Sequence, residues 1–226
     1  MFVDIHTHVD NQSVIKIVDE HGEKILTTWG IHPWEVEGLT ERHFERNEQG
    51  SGNLLLSDAV DFSIPLLDSR NDAFFAIGEV GLDKIHKETF GKQIEVFGEM
   101  VRLSETYRKP MIIHCVRAYS EIIEIRKKTK ATMSWVIHGF NSSVETMLQL
   151  LKHDIYISLG EVLYRDENQA IKILKHLPLD RLFLETDVSG RDIKDVYARA
   201  AESTGRGIDF LRKQIFENYG RLETTH

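Results

Sequence analysis

Apolar and polar positions follow a repeating rhythm along the chain. A short apolar run is followed by a longer stretch in which apolar residues recur at helical spacing. The chain opens MFVDIHTHVD, where Phe2, Val3 and Ile5 mark a buried strand. Strand side chains alternate faces, which predicts Asp4, His6 and His8 on one face and Val3, Ile5 and Thr7 on the other. Further strands are predicted at FFAIGEV (74–80), PMIIHC (110–115), MSWVIHGF (133–140), IYISLGE (155–161) and RLFLETD (181–187). Helices are predicted over 88–107, with Phe90, Ile94, Phe97 and Val101 on one stripe, and over 119–128, 142–152 and 168–176. The third of these starts from a serine cap at Ser142, and a helical tail closes the chain. Strands alternating with helices imply βαβ units and a parallel sheet. Runs such as MIIH and LFL suit strands covered on both faces.

One segment breaks the rhythm. VIKIV (14–18) and ILTTWGI (25–31) are separated by only DEHGEK. A parallel crossover needs about a dozen residues, whereas a hairpin needs few. The expected architecture is therefore α/β, a TIM-like (β/α) barrel, abbreviated and distorted near its first βα unit, with 14–31 hairpin-like. Residues 39–72 read as two short helices around a loop containing Gly50 and Gly52. With no internal repeat, low-complexity tract or linker, residues 1–226 read as a single domain.

Composition narrows the picture. Net charge is −8, from 36 acidic and 28 basic residues, which argues against a broad electropositive surface for duplex binding. A phosphate-bearing substrate stays possible, because bound divalent cations invert a local field. No apolar run reaches membrane-spanning length, and no secretory leader is visible. The lone cysteine, Cys115, excludes an internal disulfide framework and fits a reducing cytoplasm.

The ends of the apolar runs carry the candidate chemistry. They lead into His6 and His8, His32, Glu79, His114, His138 and Asp187. Strand ends of a (β/α) barrel converge on one mouth, where active sites are built. Each residue alone has a plain structural reading: a turn cap for Glu79, a satisfied core histidine for His114, a helix cap for Asp187. Burying so many ionisable groups together is costly unless an ion coordinates them.

In their order and spacing, DIHTH (4–8), GIHPW (30–34), AIGEVGLD (76–83), KPMIIHC (109–115), VIHGF (136–140) and LFLETD (182–187) make the chain resemble the TatD-like metal-dependent hydrolases, amidohydrolase-like TIM barrels. The resemblance implies two divalent ions, with zinc, manganese, magnesium, iron or nickel all chemically suitable. It places His6, His8, Glu79 and Asp187 around one ion and Glu79, His114 and His138 around the other, with Glu79 bridging. It puts His32 in the pocket, touching a substrate phosphate. Trp34 is a candidate base-stacking residue or a buried loop anchor. Arg117 is a candidate phosphate clamp or a solvated arginine.

The implied activity is phosphoester hydrolysis, as a deoxyribonuclease trimming single-stranded 3′ ends, with Asp187 accepting a proton. DNA ends or nucleotides are the expected partners, with no membrane and no protein partner. The chain departs from the family's pattern between Asp10 and Gly30, which is short, at Trp34, after Glu79 and after Asp187. A small-molecule phosphoesterase or amidohydrolase is the alternative, although MIIHC offers no lysine to carry a bridging carbamate. A silent binding barrel is disfavoured because all six expected ligands are present.

Overall fold

The computed structural model describes residues 1–38 and 74–223. The helices expected over 39–72 lie outside the described residues. Eight strands form one sheet in chain order: β1 (Phe2–Val9), β2 (Gln12–Asp19), β3 (Gly22–Trp29), β4 (Ala76–Asp83), β5 (Met111–Val116), β6 (Trp135–Ile137), β7 (Ile155–Leu159) and β8 (Leu182–Leu184). From β3 onward all pairings are parallel. A parallel bridge between Thr7 and Asp187 brings β1 to the far edge, leaving a nearly closed barrel. Helices α1 (Phe90–Tyr107), α2 (Tyr119–Thr129), α3 (Val144–Leu151), α4 (Val162–Arg165), α5 (Glu167–His176), α6 (Ile193–Thr204) and α7 (Ile208–Glu223) alternate with the parallel strands or follow them. Short 3₁₀ turns cover Val36–Gly38, Lys87–Thr89 and Leu179–Arg181. No helix among the described residues is long and apolar enough to cross a membrane.

The abbreviated unit is a three-stranded meander. β2 runs antiparallel to both β1 and β3. The first turn is Asp10–Asn11, with φ of 50° and 63°, the left-handed pair that a two-residue hairpin requires. Asp19 pairs with Gly22, so Glu20 and His21 form the second turn. Val14, Ile15, Ile17 and Val18 give β2 enough buried surface to stand where a helix is otherwise expected.

The predicted facing of β1 needs correction. The register slips between Asp4 and Thr7, whose partners Lys16 and Val14 lie only two residues apart. That bulge puts Asp4 and Thr7 on a common side. Both reach Thr186, whose Oγ1 lies 2.6 Å from Asp4 Oδ2 and 2.8 Å from Thr7 Oγ1. Asp4 therefore ties β1 to the end of β8, while His6 and His8 turn to the mouth. From outside, the Tyr197 hydroxyl on α6 accepts from the Val3 amide and donates to its carbonyl.

The core is aliphatic along the strands. Ile77, Ile112, Val136, Ile157 and Leu184 are fully buried, each such side chain contributing about 1.5–3 kcal/mol. Phe97 of α1 packs edge-on against Trp135, with ring centroids 5.6 Å apart, and Arg126 lies against the same indole. β6, β7 and β8 are shorter than expected, whereas β4 runs past the expected end at 80 to Asp83 and β5 runs one residue past 115 to Val116. The cap of α3 is Ser143 rather than Ser142, its side chain accepting from the Thr146 amide.

Candidate metal centre

Glu79 stands at the middle of the barrel mouth, its side chain 8% exposed. Its two oxygens face different partners. Oε2 lies 3.2 Å from His6 Nε2 and 3.6 Å from His8 Nε2. Oε1 lies 2.8 Å from His138 Nε2, 2.9 Å from His114 Nδ1 and 3.1 Å from His32 Nε2. Asp187 completes the first side, with Oδ1 3.5 Å from both His6 Nε2 and His8 Nε2. Three groups of donor atoms gather closely enough to share an ion: His6, His8 and Asp187; His6, Glu79 and His138; His32, Glu79 and His114.

Backbone geometry puts these side chains here. Asp187 has φ of 49°, and its amide donates to the His6 carbonyl at 3.0 Å. A left-handed residue tied to β1 is thereby aimed across the closing seam. Gly81, at φ 157°, lets β4 approach β5, since a Cβ there would collide with the His114 carbonyl.

Charge and burial bind the cluster together. Burial opposes ionisation of Glu79, but His138, His114 and His32 hold it well below its ordinary value. Burial likewise opposes ionisation of Asp187, and His6 and His8 override it in the same direction. His6, wholly buried, would lose its proton to burial, yet Asp187 and Glu79 raise it to about 9. The same two carboxylates raise His8 to about 9.

The donor set fits divalent ions. His6 Nε2 is buried with two carboxylates nearby and no well-formed hydrogen bond. Three imidazoles also crowd one oxygen of Glu79. Imidazoles and carboxylates at opposed faces of one bridging group are what cations would satisfy.

His32 differs from the others. Its Nδ1 accepts the Trp34 amide at 3.2 Å. In the neutral ring the proton then sits on Nε2, which donates to Glu79. His32 is thus turned toward the bridge as a donor, not as a lone pair for a metal.

Trp34 is not a buried anchor. It is 59% exposed, and its indole N–H donates to Asp83 Oδ2 at 2.9 Å. Its ring stands edge-on to His32, with centroids 4.7 Å apart. Arg117 is exposed on the turn after β5 and is not among the residues lining the mouth. The structure therefore does not bring it to the centre.

The mouth opens into a cavity of about 840 Å³, lined in part by His8, Ser13, Trp29, Trp34, Phe74 and Asp187. A second cavity, of about 650 Å³, shares His8 and Asp187 and carries Lys16, Arg191 and Lys194.

Two acidic residues escaped the reading of the sequence. Asp83 lies two strand repeats beyond Glu79, a spacing that could have revealed it. Burial raises its pKa, but Trp34, the Ile85 amide and His114 together lower it. Glu185, two residues before Asp187, is fully buried, and its Oε1 accepts the Gly139 amide at 2.5 Å. Burial pushes it up to about 7.

A nearly closed α/β barrel whose strand ends ring a carboxylate with imidazoles is the frame of a metal-dependent hydrolase. The chain belongs to the TatD-related DNase family, whose profile matches residues 1–222. It is 31% identical over 170 residues to the uncharacterized metal-dependent hydrolase YcfH of Escherichia coli K12. That match covers 68% of this chain and 64% of YcfH, so the chain spans under two thirds of that relative. It is 33% identical over 125 residues to the human 3′-5′ RNA nuclease TATDN2, covering 52% of this chain and 16% of that protein. The crystal structure of the TatD homologue YJJV from E. coli K12 superposes with a TM-score of 0.68. At 21% identity, over 86% of this chain and 75% of that one, this likeness establishes the fold.

Proposed function

We propose that the chain hydrolyses phosphodiester bonds at the 3′ ends of single-stranded DNA. The carrying observation is Glu79, each of whose oxygens faces its own set of imidazoles. In this reading His6, His8, Asp187 and Glu79 hold one divalent ion, and Glu79, His114 and His138 hold a second. Ions bound there lower the pKa of water and polarise phosphoryl oxygens.

The chain's own residues do the rest. Asp187, at 30% side-chain exposure against 8% for Glu79, is the more open of the two carboxylates at the centre and accepts the attacking water's proton. His32 directs its Nε2 proton into the centre, where a phosphate oxygen can take it in place of Glu79. The exposed Trp34 ring, held by Asp83, offers a face on which a terminal base stacks without regard to sequence. Lys16, Arg191 and Lys194 beyond His8 suit the phosphates of the continuing strand. The net charge of −8 favours short, end-directed contact over duplex tracking.

The test compares three substrates with the manganese-loaded protein: 5′-labelled single-stranded DNA, the matching RNA, and bis-p-nitrophenyl phosphate. Stepwise loss of nucleotides from the DNA 3′ end supports the proposal. Preference for RNA moves the substrate toward that of TATDN2. Turnover of the small diester alone sinks the nuclease reading and leaves a small-molecule phosphoesterase.

A further inference from the structure

His6 reaches the centre through Nε2, so its other nitrogen decides whether Nε2 carries a lone pair. Nδ1 lies 3.2 Å from the Ser13 hydroxyl on β2. Ser13 Oγ lies 2.9 Å from Thr28 Oγ1 on β3, and Thr28 Oγ1 lies 2.7 Å from the Ser13 carbonyl oxygen. Both hydroxyls belong to the meander that replaces the first βα unit.

Thr28 Oγ1 donates to the Ser13 carbonyl oxygen and to Ser13 Oγ, sharing its one proton between them. Ser13 Oγ keeps a second lone pair within reach of His6 Nδ1. Neutral imidazole has one N–H. When Nε2, which faces Glu79 Oε2 and Asp187 Oδ1, offers its lone pair to an ion, that N–H is at Nδ1 and Ser13 Oγ is its acceptor.

We infer that Ser13 and Thr28 form a positioning relay, in which Ser13, held by Thr28, accepts from His6 Nδ1 and so supports the tautomer whose Nε2 can bind an ion, making the hairpin a working part of the metal centre. The inference rests on the metal-centre reading. Outer partners of metal-bound histidines hold ring orientation and tautomer, and losing one typically costs about 10–100-fold in metal affinity. His32 supplies the internal contrast. Its far nitrogen accepts a backbone amide, which leaves the opposite tautomer.

The experiment measures zinc affinity by chelator competition for the parent, Ser13→Ala, Ser13→Thr and Thr28→Val. It also records ¹⁵N–¹H correlations of the His6 ring in the zinc-loaded parent, with thermal unfolding as a check on folding. The relay predicts about a tenfold or greater loss of affinity in Ser13→Ala and recovery in Ser13→Thr. It predicts a smaller loss in Thr28→Val, and a His6 ring protonated at Nδ1 with Nε2 on the ion. If the parent takes up zinc and folded Ser13→Ala matches it within twofold, the relay alone is overturned. A zinc-bound His6 protonated at Nε2 overturns it equally. A parent that takes up no zinc overturns the metal-centre reading itself.

Discussion

The N-terminal meander and the parallel half of the barrel deliver imidazoles to the same carboxylate by different means. In β4 and β5 the ligand types sit on parallel strands, with close backbone approach at Gly81. In β1 to β3 the strands are antiparallel, a bulge re-aims β1, and the Ser13 hydroxyl of β2, held by Thr28 of β3, reaches the back of His6. The difference teaches that the centre requires strand ends at fixed places and is indifferent to what joins them. A two-residue turn brings the chain back as well as a helix does, provided the new strand supplies the hydrogen-bond partners.

The comparison is broken most completely at its shared member. Glu79→Ala removes both oxygens at once. It should cut phosphodiesterase kcat/KM by more than the roughly 10–100-fold expected for an outer partner, measured on the manganese-loaded protein. By contrast, a loss within tenfold would mean the two halves hold their ions independently.

Next in size is the effect of pH, which acts through the meander's His6 and His8. Both are raised to about 9 in the ion-free protein, so bound protons compete with an ion at neutral pH. Metal affinity should climb as pH rises toward 9 and then level off, as followed by competition titration. Ion-free stability should run the other way. Stabilisation from the charged imidazoles is complete below about 6.5, the ordinary histidine value, and lost as pH rises through about 9. The melting temperature should drop by a few degrees across that window, about 1 kcal/mol corresponding to roughly 2–4 °C at this size. A flat profile would contradict the ion-pair account.

Trp34, between the two halves, should show a smaller and more selective effect. Base stacking contributes about 1–3 kcal/mol per base, so Trp34→Ala should raise KM for a single-stranded oligonucleotide several-fold or more. Turnover of bis-p-nitrophenyl phosphate should change little. Equal losses on both substrates would assign the indole to holding His32 instead. The smallest effect is expected at Arg117, exposed and away from the mouth. Arg117→Ala should leave kcat/KM within twofold on either substrate, and a larger loss would mean the arginine swings inward when substrate binds.

Much of this was readable in the chain because periodicity fixes where strands end. His6, His8, Glu79, His114, His138 and Asp187 each follow an apolar run, and the folded barrel gathers them at one mouth, Glu79 from within β4 rather than from its end. The hairpin was readable from the six residues between two apolar runs. What escaped the reading depends on register and on contacts between distant segments. A bulge shifts Asp4 to the Thr186 side, and no local pattern announces it. Ser13 and Thr28 meet only because β2 and β3 pair, so neither hydroxyl stands out in the sequence. Asp83 was within reach, since it shares the Glu79 alternation. Arg117 drew notice by its closeness to His114 in sequence, yet its left-handed backbone, at φ 57°, leads it into solvent.

The most direct test of the account is elemental analysis of the parent and of Glu79→Ala after exposure to excess manganese and removal of free ion. A carboxylate shared between two imidazole sets predicts two ions per chain in the parent and loss of both, or nearly both, in the variant. A parent without divalent ions, or a folded variant that retains the full complement, would contradict it.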